Sequence, residues 1–219
     1  MSDRNAHSLI IKSLSIIEDV HREYREKVGP DIYEEIDKVI KEFIESSDWT
    51  GEANFWEKAS FWVAPSYWKA DDIEDSDEFV AWYCFDFVND SKSTLSSSSE
   101  GYIFHLSPLL GIGATQAGLS FTVNRKYIGS PKASDWKKFG QSHRHYTELS
   151  KIGFIQLNSG NWFIPFKLDS DLLADAYVTG TIVDALQPIV DVLQKIKDSH
   201  TLFEQVLADS KENFNCSRG

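Results

Sequence analysis

Cysteine is scarce: Cys84 and Cys216 are the two in 219 residues. The first falls in an apolar strand pattern and the second in a polar tail, so a disulfide between them would tie the core to a chain end. Both are read as reduced thiols, which fits a cytoplasmic protein. Positive charge is also in deficit, with 22 Lys and Arg against 34 Asp and Glu and a net charge of −12. That balance leaves no broad phosphate-neutralising surface, so direct nucleic-acid binding and adhesion to an anionic membrane are disfavoured. There is no run of 18 apolar residues and no leader-like pattern at the start, so neither a membrane span nor a targeting segment is expected. No linker rich in proline and glycine divides the chain. A single α+β domain over residues 1–210 is expected, with an N-terminal helical segment over 1–46 and a disordered tail over 211–219.

Recognisable catalytic patterns are missing too. Gly111-Ile112-Gly113-Ala114-Thr115-Gln116-Ala117-Gly118 is not followed by Lys-Ser/Thr. The alternation from Leu119 to Asn124 reads as a strand rather than the helix that a phosphate-cradling loop requires, so a tight connection or bulge is expected. The six carboxylates between Asp71 and Glu78 have no glycine at a bend, which argues for a hydrated surface loop over a calcium loop. His143 and His145 lie in a pattern predicting a helix from Trp136 to Leu149, capped by Ser134-Asp135. On such a helix their side chains point roughly 200° apart, so they would not share one metal. No metal and no cofactor is expected.

What the chain does hold is aromatic mass: seven Trp and fourteen Phe. Much of it sits in two predicted strands, Ala59 to Trp68 and Glu78 to Val88. In the second, Phe79, Ala81, Tyr83, Phe85 and Phe87 share one face and Val80, Trp82, Cys84, Asp86 and Val88 the other. Both faces look covered, which predicts a central strand. Ile10, Leu14, Ile17, Tyr24 and Val28 form one apolar seam, and Ile32, Ile36, Val39, Ile40, Phe43 and Ile44 another. With Gly29-Pro30 between them, these predict an N-terminal helical hairpin.

Further on, Ser46 to Asn54 reads as a loop displaying Trp49, Ser91 to Glu100 as a serine-rich loop, and Tyr102 to Leu106 as a strand. Ile152 to Leu168 reads as a hairpin around Asn158-Ser159-Gly160-Asn161, with Pro165 at an edge or bulge. Ser170-Asp171 opens a short helix. A long helix from Ile182 to Ile196 is expected to bend at Pro188, and Thr201 with Glu204 to cap a final one. The sum is the α+β class: a mainly antiparallel sheet of about six strands, with the N-terminal hairpin and C-terminal helices packed on it.

Among titratable residues Asp86 stands out, because a carboxylate among apolar strand neighbours needs a partner such as Arg125, Lys126, His105 or a buried hydroxyl. Asp86 and His105 are the candidate acid–base residues. Arg125, Lys126, Trp136 and Arg144, within the one region where cations gather, are candidate binding residues with Trp62 and Trp82. No complete catalytic set accompanies them. The expected function is therefore a noncatalytic intracellular module that binds a protein partner, with a basic partner suggested by the acidic balance and a homodimer suggested by the helical segments. The alternative is a small-ligand binder or hydrolase-type enzyme whose aromatic pocket surrounds Asp86 and His105.

Overall fold

A computed structural model describes residues 3–70, 78–89, 104–113 and 115–215. The acidic stretch 71–77 and the serine-rich loop lie outside the described residues. The N-terminal seam forms helices α1 (Asp3–Lys12), α2 (Leu14–Glu23) and α3 (Gly29–Glu45), with a π turn over Tyr24–Val28 between the last two. No hairpin forms at Gly29-Pro30. Val28 and Gly29 keep right-handed helical angles, so the helix passes straight through. Pro30 offers no N–H and would crowd the carbonyl four residues back; the wider π turn just before it accommodates both problems without reversing the chain. Tyr24 fastens this turn to the body. Its ring meets Phe104 at 4.6 Å, its hydroxyl contacts that of Tyr33, and the hydroxyl oxygen accepts from the Leu106 N–H at 3.1 Å.

Six strands form one antiparallel sheet in the order β1-β2-β3-β4-β6-β5. They are β1 (Trp49–Asn54), β2 (Ser60–Pro65), β3 (Ala81–Asn89), β4 (Thr115–Val123), β5 (Ile155–Gln156) and β6 (Trp162–Phe166). β3 is interior, flanked by β2 and β4, as its bulk on both faces predicts. The loop expected over 46–54 is instead largely β1, and Trp49 is buried in it, stacked on Tyr83 at 5.6 Å. The described part of the strand expected over 102–106 is a turn at Phe104 and His105 leading into a helix: short helices α4 (Phe55–Lys58) and α5 (Leu106–Leu109) precede β2 and β4. Asp37, buried on α3, accepts the Phe55 N–H at 2.7 Å and so holds the start of α4. Gly118 lies inside β4, not in a nucleotide loop. A Cβ there would stand 2.4 Å from the Ile164 carbonyl oxygen and from the Phe163 ring.

Helices α6 (Ala133–Ser142) and α7 (Tyr146–Ile152) replace the single helix expected over 136–149. The break falls at His143, which is extended, and Lys132 rather than Ser134-Asp135 occupies the cap position. The expected hairpin forms from β5 and β6, but its first strand shrinks to Ile155–Gln156, with Ile152 ending α7; Pro165 lies beyond β5 and opposite Gly118 of β4, so β6 is paired on one side there rather than free as an edge. Helices α8 (Ser170–Thr179) and α9 (Ile182–Ala185) lead to α10 (Gln187–Asn215), 29 residues long. The helix expected from Ile182 breaks at Leu186, between α9 and α10, so Pro188 falls in the first turn of α10, where a missing N–H costs nothing, and Thr201 is interior rather than a cap. The helix also enters the stretch expected to be a disordered tail; residues 216–219 lie outside the described set. Phe203 on α10 seals the core, meeting Phe121 at 4.2 Å, Phe154 at 4.9 Å and Tyr83 at 5.7 Å.

Candidate functional site

The face of the sheet that carries Tyr83, Phe85 and Phe87 is buried under the helices. The opposite face is only half covered among the described residues: Trp62, Trp82, Cys84, Asp86 and Val88 are all partly exposed. The expectation that both faces of β3 are covered is thus met on one side. At one end of this second face, Trp62 and Trp82 line an open cleft of about 380 Å³ with Glu78, Phe79 and Asn124. Phe79 leans on Trp62 at 5.1 Å between ring centres. Glu78 closes one side, held by Lys126 Nζ at 3.2 Å and the Tyr127 hydroxyl; these donors keep its carboxyl below the usual range. Lys126 is therefore the one expected cation that reaches the edge of this cleft.

Asp86 is on the same face of β3 but outside the cleft lining. Its partner is a hydroxyl, as one of the sequence options had it: Ser120 Oγ donates to Oδ2 at 3.1 Å, and the Phe87 N–H donates to Oδ1 at 2.8 Å. Burial raises its pKa, and these two donors pull the other way. Its neighbour Cys84 faces Thr122 Oγ1 at 3.6 Å, and burial pushes the thiol up to about 11. A nucleophilic cysteine needs the reverse shift.

The remaining sequence candidates scatter. His105 is exposed, one residue before α5 and close to the Tyr24 anchor, with no recorded contact to Asp86. Trp136 is buried to 1% exposure inside α6. Arg125 donates to the Pro131 carbonyl at 3.3 Å and Arg144 pairs with Asp209 at 3.2 Å. The three cations thus face three different acceptors and do not converge on one pocket.

The break at His143 produces a cluster that the helical reading missed. His143 Nδ1 accepts the His145 N–H at 3.3 Å, which leaves Nε2–H to donate to Asp209 at 3.0 Å. Burial lowers the pKa of His143, outweighing Asp209. His145 lies 5.4 Å away ring to ring and contacts Glu148 at 3.1 Å and Gln205. The pair fastens the junction of α6 and α7 to α10. Among the described residues no three His, Cys, Asp or Glu side chains gather as metal ligands.

An uncovered apolar feature among the described residues lies elsewhere. Leu9, Ile10, Leu14, Ile16, Ile17 and Val20 on α1 and α2 are each 44–65% exposed, although α2 buries no residue at all. Leu9 and Ile10 on α1 and Leu14, Ile16, Ile17 and Val20 on α2 follow one another across the non-helical angles of Ser13, with Ile11 exposed beside them, so they form a ribbon rather than isolated apolar positions. Where the ribbon meets the body, Ile16, Ile17, Val20, His21 and Phe104 line a groove of about 520 Å³. The seam is legible in the sequence but its exposure is not, because core packing and an open face require the same periodicity. No family model, curated protein or solved structure matches this chain.

Proposed function

We propose that the chain is a noncatalytic, intracellular protein-interaction module that docks its partner on the apolar ribbon of α1 and α2. The observation that carries this is the exposure of six large aliphatic side chains in one row. Monomeric proteins seldom leave a contiguous patch of this size uncovered, and such patches mark binding surfaces. Two features support the noncatalytic part: Asp86 and His105, the acid–base candidates, have no contact with each other, and the Cys84 thiol is held in its unreactive form. Cys84 is a free thiol, in keeping with a reducing compartment. The partner need not be basic, because the flanks of the ribbon carry both signs: Arg4, Lys12 and Arg22 beside Glu18, Asp19 and Glu23. Affinity capture from a lysate with the native chain and with a chain carrying Leu14→Glu and Ile17→Glu tests the reading. Partners lost with the substitutions support it, and identical capture by both baits removes it.

A second reading rests on the cleft between Trp62 and Trp82, where two partly exposed indoles flank a polar edge made by Glu78 and Asn124. Apolar walls with few polar groups are what small-ligand pockets present. A thermal-shift screen of small molecules checks it, since a ligand that binds the folded state raises Tm, and a Trp82→Ala chain should lose that rise.

A further inference from the structure

We propose that the ribbon is the seam of an antiparallel homodimer, its occupant being the same ribbon of a second copy of this chain. The proposal rests on the docking reading above and names its partner. Ile10, Leu14, Ile17, His21, Tyr24 and Val28 recur at spacings of four, three, four, three and four, the repeat of a two-helix seam. Tyr24 and the residues after it turn this seam onto the body, whereas the half nearer the chain start stands free. Helices α1 and α2, with Ser13 between them, span about 30 Å, long enough for several seam layers before two bodies meet.

Direction follows from what each end offers. The base of the rod has the groove lined by Ile17, Val20, His21 and Phe104, and the tip has the exposed Leu9 and Ile10 that would fill it. Setting Leu14 against the partner's Ile17 puts Ile10 against the partner's His21, at the mouth of that groove. A parallel pair would instead set groove against groove and His21 against its own copy. Charge agrees in sign: the tip carries Arg4 and Lys12 with Asp3, a net charge of +1, while the base carries Glu18, Asp19, Glu23 and Glu26 against Arg22, Arg25 and Lys27, a net charge of −1. Tip against base is attractive and tip against tip is not. The carboxylates at the base disfavour an anionic lipid surface, and its three cations disfavour a strongly basic protein. The ribbon exposes on the order of 600 Å² of apolar surface per chain, so two copies reach the low end of specific interfaces.

Sedimentation equilibrium on the full chain from low to high micromolar concentration should give twice the 24.9 kDa chain mass. Leu14→Glu with Ile17→Glu should weaken association about a hundredfold or more, and its far-ultraviolet dichroism and Tm should match those of the native chain at concentrations where the native chain is monomeric, because both side chains are exposed in the single chain. Orientation is read in a Cys84→Ser, Cys216→Ser background by mixing chains carrying Leu14→Cys with chains carrying Ile17→Cys. The mixed disulfide should exceed either like-with-like product. A monomer at high concentration, a dimer indifferent to the double substitution, or a dominant like-with-like product at position 14 each overturns the proposal. A monomer whose double variant loses a partner held by the native chain overturns the dimer alone. A monomer with unchanged capture overturns the docking reading as well.

Discussion

Tyr83 sits at the centre of the aromatic core with no exposure, and its hydroxyl has no hydrogen-bond partner. A buried, unpaired hydroxyl costs about 1–3 kcal/mol, so Tyr83→Phe should be stabilising by about 1 kcal/mol, seen as a higher urea midpoint. Cys84 shows the same environment acting on a titratable group. With burial pushing its thiol up to about 11, only on the order of one molecule in ten thousand carries the thiolate at neutral pH. Alkylation by iodoacetamide should therefore be far slower in the folded chain than in urea; equal rates would contradict the burial. At this scale the sequence was informative. An apolar strand pattern around Asp86 predicted a carboxylate in need of a partner, although it did not single out Ser120 among the options.

Between residues and whole fold, the errors share a cause. Local signals marked Gly29-Pro30 as a reversal, Thr201 as a cap and residues 136–149 as one helix, and the fold differs in each case. Helix propensity is a weak preference beside burial: α10 runs on through Thr201 and buries Phe203, Val206 and Leu207, whereas the run through Gly29-Pro30 leaves the α2 face exposed and burial does not explain it. The break at His143 has a measurable consequence. Its folded pKa is lowered chiefly by burial, so its contribution to stability is present above 6.5, the ordinary value, and is lost as the pH falls below it. The urea midpoint of the native chain should drop on acidification through that range, and a His143→Gln chain should show a shallower drop.

Across the whole molecule, stability and recognition occupy different ends. Phe203 on α10 touches aromatic side chains from β3, β4, β6 and the segment before β5, so Phe203→Ala should cost about 3–5 kcal/mol. Leu14→Gln on the exposed ribbon should change the stability of the single chain by less than about 0.5 kcal/mol and act on association instead. Chemical denaturation at low protein concentration separates the two. A large loss from Leu14→Gln there would mean that the ribbon packs on its own body.

Composition and periodicity by themselves determined the α+β class, the interior place of β3, the hairpin of β5 and β6, the aromatic core and the amphipathic N-terminal helix. These follow from which side chains water rejects and at what spacing, and that information is local. The tertiary structure alone decided which apolar faces are covered. It buried Trp49 and Trp136, left Leu14 and Ile17 open to solvent, gave Asp86 the Ser120 hydroxyl and parted it from His105. A periodic stripe records that a face is apolar, but whether the chain itself covers that face depends on where distant segments come to rest.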